Sequence, residues 1–452
     1  PGTITANGDP TASTDSPFDD PAGFVFGENE DQNVIKTGSY IGNGSSDGPE
    51  VYVGFEPQWL LLKNSSISDT WYLYNSMMGI VTGGDDIYLQ ANDSSAQANG
   101  GDKIDLTSTG FKIKNNNADL NGNGNTIIYL AIRRSDGYVG KPPELGTGVF
   151  AMATAASAVP RYSSGFPVDF AFKRRPATTE SWYTGARLLG KNRGYTNTSA
   201  AFSDNNAFIW DSNTHWPGGS GDDPNDYQAW MWKRHAGFDV VTYTGTGDNS
   251  NSGPNSSSQN VAHSLGKEPE MIWVKCRSIG YNWYVYHKGQ NGGTNPHNYY
   301  LRLNSTDAEQ ESVAPFTNAI WNNTAPTDTH FSLGPGNDVN DSNEEFVAYL
   351  FSSVDKISKV GSYDGSGSSR TISLGFAPRL LILKNVTSAD SWYVMDTTRG
   401  WGSGNDNYIE LNKSDAQGGH DFGAPTSDGF SLPNGNVHHN QSGQTYIYYA
   451  HA

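Results

Sequence analysis

The segment Asp119-Leu120-Asn121-Gly122-Asn123-Gly124 sets side-chain oxygens at alternate positions before a glycine. That is the first half of an EF-type calcium loop, with Asp119, Asn121 and Asn123 as the candidate ligands and Ca2+ as the cation. The closing acidic ligand is missing, because Leu130 stands in its place. An Asn-Gly turn ahead of a strand accounts for the same residues without metal, and no other cofactor is read. His438-His439 lies in a Gly/Asn-rich loop and is expected in solvent. Asp222/Asp223 and Glu309/Glu311 are the nearest approach to a glycoside-cleaving pair, which needs two carboxyls about 5–10 Å apart in space. A nucleophile elbow, a phosphate loop and an HExxH helix are not found. No catalytic residue is assigned, and the chain is not read as an enzyme.

Three tryptophans carry the candidate binding chemistry. Trp216 opens the stretch Trp216-Pro217-Gly218-Gly219-Ser220-Gly221-Asp222-Asp223, Trp321 sits in an Asn/Thr/Pro insertion, and Trp401 lies between Gly400 and Gly402. An exposed Trp on a polar loop is costly in water unless it meets a partner, a subunit or a sugar. The alternative is that each loop folds back and its Trp caps its own domain.

The elements that position these residues are strands. Abundant Gly, Asn, Ser, Thr and Asp supply turns, and aromatics with Val, Ile and Leu supply short strands. With 452 residues the chain needs more than one core. Lys and Arg number 29 against 47 Asp and Glu, a net charge of −18. That balance argues against nucleic acid and against docking on an anionic membrane, and no apolar run is long enough for a membrane-spanning helix. The single Cys276 excludes an intrachain disulfide framework.

The chain repeats itself. Gly54-Phe55-Glu56-Pro57 leads through Trp59-Leu60-Leu61-Leu62 to Lys63, and the pattern returns from Gly266 to Lys275 and from Gly375 to Lys384. A degenerate copy runs from Gly165 to Lys173 and is one residue shorter. Trp71-Tyr72, Trp182-Tyr183, Trp283-Tyr284 and Trp392-Tyr393 follow in turn. Each unit has about 100 residues, the size of a domain rather than of a solenoid repeat. The boundaries are 33–136, 137–236 (divergent), 237–355 and 356–452, after an acidic arm over 1–32 that starts at Pro1 and reads as the end of something longer. Two packed antiparallel sheets per unit are expected, so the fold class is all-β with four tandem β-sandwiches. A four-bladed closure of the last unit onto the first is the alternative. The apolar run Trp59 to Leu62 predicts a central strand covered on both faces. The repeated lysine is expected to snorkel into water, and the Trp-Tyr pairs to pack in cores.

These motifs, with the closing run Thr445-Tyr446-Ile447-Tyr448-Tyr449-Ala450-His451-Ala452, resemble repeat regions of virion proteins from phages of marine bacteria and cyanobacteria, tail-fibre-like or head-fibre-like. The resemblance implies lectin-like or jelly-roll-like sandwiches on the surface of a phage particle. It further implies a fibre or spike role in host-surface recognition, with other virion proteins and host polysaccharide as partners. A homo-oligomer follows by analogy with fibres, a trimer. A virion-associated polysaccharide depolymerase, a capsid decoration protein and a bacterial surface adhesin are the competing expectations.

Overall fold

The computed structural model describes residues 34–139, 142–204, 208–218, 221–247, 257–312 and 320–452. The arm expected over 1–32 lies outside them. Four units share one topology. In the first, a six-stranded antiparallel sheet runs in the order Ile35–Ile41, Thr126–Arg133, Pro57–Asn64, Trp71–Asn75, Ile87–Gln90, Ala98–Asn99. A second sheet, Glu50–Tyr52, Gly110–Ile113 and Ile104–Thr107, covers it. Phe111 of the small sheet packs edge-on to Tyr40 and Tyr129 of the large one. The other units keep the six-strand order and reduce the second sheet to two strands. The fold is therefore all-β, as the turn-rich composition requires.

The Gly-x-x-Pro opening has a physical reason in all four copies. Gly54, Gly165, Gly266 and Gly375 hold φ of +87°, +81°, +74° and +87°, which a residue with a Cβ adopts only under strain. Each sharp bend feeds the central strand of its sheet.

Strand register corrects the alignment of the second unit. Lys63 and Lys384 lie directly across from Trp71 and Trp392, and Val274 lies across from Tyr284, which sets Lys275 beside Trp283. In the second unit Lys173 lies across from Tyr183, so Arg174 is the residue beside Trp182. Gly165 to Arg174 restores the common spacing. The copy is not shorter; its cation is an arginine.

Closure takes place among three units, not four. The second, third and fourth stand around a common aromatic centre, where Phe170 meets Tyr349 at 4.5 Å, Phe351 meets Tyr449 at 5.0 Å and Phe150 meets the His451 ring at 4.6 Å. The fourth unit thus closes onto the second. The first unit sits outside this ring and packs its strand Ile104–Thr107 against Phe238–Thr244 of the third.

Candidate interaction surface

The ring is built from one junction used three times. The indole Nε1 of Trp182 donates to the Glu410 carbonyl at 2.7 Å, that of Trp392 to Arg302 at 3.0 Å, and that of Trp283 to Tyr195 at 2.9 Å. These acceptors occupy one equivalent position, since Tyr195, Arg302 and Glu410 pair with the Tyr that follows each Trp. Four residues further on, the carbonyls of Ser414, Thr306 and Ser199 accept from Arg174 at 3.0 Å, Lys384 at 3.3 Å and Lys275 at 3.0 Å. Three residues beyond those, the amides of Gln417, Glu309 and Phe202 donate to Pro176, Val386 and Arg277 at 2.7, 2.9 and 2.8 Å. The direction runs from the second unit to the fourth, the fourth to the third and the third to the second, so the ring is closed.

The repeated cation therefore does not snorkel. Arg174, Lys275 and Lys384 are fully buried. Burial lowers the Lys275 and Lys384 ammonium groups to about 8 and the Arg174 guanidinium to about 10, and carbonyls of the neighbouring unit and of each cation's own loop take the place of water. In the three ring units the Trp of the Trp-Tyr pair, Trp182, Trp283 and Trp392, belongs to the junction rather than to the core of its own sandwich.

In the first unit the same surface meets no partner among the described residues. Leu61, Trp71 and Leu130 correspond in register to Phe172, Trp182 and Trp230, to Trp273, Trp283 and Tyr349, and to Ile382, Trp392 and Tyr449. Those nine counterparts are at most 1% exposed. Trp59, Leu61, Trp71, Leu73, Leu130 and Ile132 are all half-buried, and Ile128 is 37% exposed. The central strand alternates where the sequence predicts cover on both faces, because the second cover is supplied by another unit and the first unit lacks it. Its Lys63 turns back onto the carbonyls of Asn64 and Ile67 in its own loop. The receiving side is open as well: residues 91 to 97 are exposed throughout.

The three loop tryptophans take the fold-back alternative rather than exposure. Trp216 is 0% exposed, Trp321 2% and Trp401 3%. Trp216 stacks between Tyr162 and Trp210 at 5.4 and 5.5 Å, with the Lys173 ammonium 5.5 Å from its ring. Lys173 in turn forms a buried ion pair with Asp222. Trp321 packs edge-on against Tyr286, and Trp401 lies against Phe430. Each loop folds back on its own unit, since burying an indole outweighs leaving it in water. Replacing Trp216 with Ala should lower unfolding stability by about 3–5 kcal/mol, read from urea denaturation. An unchanged midpoint would contradict the packing.

The calcium reading does not fit the residues. Asp119 accepts an ion pair from Lys103 at 2.7 Å. Asn121 is buried, with its carbonyl oxygen on the Asn43 amide and its Nδ2 on the Ser45 and Asn115 carbonyls. Asn123 is exposed. Asn340 and Asn440 make the same amide and carbonyl bonds in the third and fourth units, so the repeated asparagine is a loop latch. Among the described residues no group of three His, Cys, Asp or Glu is placed to hold a metal. His439, expected in solvent, is buried beside the His420 ring, and burial pulls it down to about 4. His438 binds Asp390 at 3.0 Å.

Buried histidines give the ring an acid sensitivity. His287 Nδ1 accepts the Gly289 amide at 3.0 Å and Nε2 faces the Tyr448 carbonyl of the fourth unit at 3.3 Å. Accepting at Nδ1 leaves Nε2 to carry the proton and donate. Burial lowers His287 to about 3. The folded pKa lies below the unfolded value of about 6.5, so stability is fully present above that value and is lost as pH falls toward 3. In denaturant melts the decline between pH 6.5 and 4.5 should be shallower in His287→Gln than in the native chain. Equal slopes would contradict this.

Among the described residues there are clefts of about 460 Å³ at two places. One lies between the first and second units, where Met77, Ile209 and Trp210 line an apolar wall and Asp85, Asn99 and Asp204 a polar one. The other is lined by the linker residues Tyr138, Pro142 and Leu145 with Lys233 and His235. Position alone did not reveal the junction in the sequence, although the shared Lys/Arg and Trp spacing was its signal.

No curated protein matches the chain. One family model covers residues 14–135 and 192–452. The unmatched stretch holds the linker and the first half of the divergent second unit, where arginine replaces the junction lysine. The chain belongs to the family described as "Domain of unknown function (DUF7483)".

Proposed function

We propose that the chain is a structural protein of a bacteriophage particle, of fibre or spike type, exposed on the virion surface and engaged in host attachment. The observation that carries the reading is the closed ring of three equivalent sandwiches in a single chain, the symmetry by which fibres are built. The resemblance of the repeat motifs to virion proteins supports it. So does the net charge of −18, which keeps copies soluble at high local density. The cleft between the first and second units suits a host glycan: an apolar wall for a sugar face opposite carboxylate and amide acceptors for hydroxyls. Several weak sites displayed together give firm attachment.

Antibody raised against the chain should decorate purified phage particles at an external appendage in electron micrographs and block adsorption to cells. Absence of the chain from purified particles would contradict the proposal.

A further inference from the structure

We infer that the first unit is one third of a second ring, completed by two further copies of this chain. The inference stands on the junction geometry and does not depend on the virion reading. Three units carry the Trp-and-cation face on one side and the accepting strand on the other, and each is satisfied by a neighbour. The first unit carries both halves in the same register. Trp71 and Lys63 form the donor face, and the carbonyls of Gln90 and Ser94 hold the accepting positions. The Gln97 amide and the Ser65 carbonyl complete the set at the spacing seen in the ring.

Both halves are open among the described residues, and the half-buried Trp59, Leu61, Leu73 and Leu130 leave an apolar face of the kind that marks an interface. A surface that donates on one side and accepts on the other builds a ring where its rotation closes and a filament where it does not. Inside the chain the rotation closes at three, so three copies are the occupants. Completing the junction would add the Ser94 carbonyl of the next copy to the Asn64 carbonyl that Lys63 already holds, as Lys384 bonds Thr306 across the junction and Asn385 in its own loop. The symmetric product has three pseudo-trimeric rings around one true trimeric hub.

The test is the mass of the full chain at micromolar concentration by sedimentation equilibrium. The expected value is three times the 48.9 kDa chain. Leu61→Glu should return the mass of one chain with circular dichroism unchanged, whereas Ile209→Glu, on an exposed residue of the second unit, should remain trimeric. Ser65→Cys with Gln97→Cys should give a covalent trimer on oxidation, because those positions meet across the junction. A monomer or a dimer for the native chain overturns the inference. So does a native monomer that trimerises only after residues 1–33 are removed, because the face would then belong to that segment. A trimer that Leu61→Glu leaves intact also overturns it.

Discussion

Trp283→Ala opens the ring. The indole is 0% exposed, packs against Tyr349 and donates to the Tyr195 carbonyl of the second unit. Truncation leaves a cavity at the junction of two units and costs about 3–5 kcal/mol. It also strips the Tyr195 carbonyl of its donor, a further penalty of about 1–3 kcal/mol if no water enters. Trp283→Phe keeps most of the volume and loses the N–H, so its cost should be much smaller. The measurement is the urea midpoint with its slope. A large loss for Ala and a modest loss for Phe are expected, and equal, small losses for both would show that the junction contributes little.

Arg234→Ala should detach the first unit from the ring. Arg234 ends the second unit and grips the Glu56 carboxylate of the first with two bonds of 2.7 and 2.6 Å. Its Nε reaches Asp239 of the third at 2.7 Å, and Arg134 of the first adds a bond of 2.8 Å to the same carboxylate. All three units meet in this buried cluster, with Arg234 7%, Glu56 4% and Asp239 1% exposed. Removing the arginine leaves two buried carboxylates sharing the Arg134 guanidinium alone, with one negative charge uncompensated, at a cost of about 3–5 kcal/mol. Burial alone would raise the Asp239 carboxyl, but Arg234 and Arg134 outweigh it and hold it at about 2. That contribution is present above the unfolded value of about 3.9 and is lost as pH falls toward 2. Calorimetry of Arg234→Ala should show the first unit melting separately and early. A single transition at the native temperature would contradict the account. Arg234→Met with Glu56→Gln should recover part of the loss, because no unpaired charge then faces the arginine's place.

The repeat made most of the fold legible. Gly54, Lys63 and the Trp-Tyr pair mark bend, strand end and neighbouring strand, and the positive φ of the four glycines is the backbone reason their spacing is kept. What escaped was the second face of each sheet. A continuous run such as Trp59 to Leu62 reads as doubly covered, but sequence cannot say whether the cover is the same unit, another unit or another molecule. The lysine was misread for the same reason. A cation after an apolar strand snorkels by default, and its burial here rests on nearby carbonyls of Tyr281 and Asn385 together with those of Ser199 and Thr306, some 80 residues away in sequence. The loop tryptophans stayed open between exposure and fold-back because Gly and Pro around Trp216 signal a turn, not which way it folds. In the second unit the one-residue slip hid Arg174 behind Lys173, which serves the opposite face with Asp222.

The closed ring is the central claim, and amide hydrogen exchange tests it most directly. Phe202, Glu309 and Gln417 donate across the three junctions from the outer edges of their sheets, where amides ordinarily exchange by local fraying. The account predicts that all three exchange slowly and together, at the rate of global unfolding. Fast exchange at any one of them, with the central strands still protected, would mean that the ring stands open at that junction.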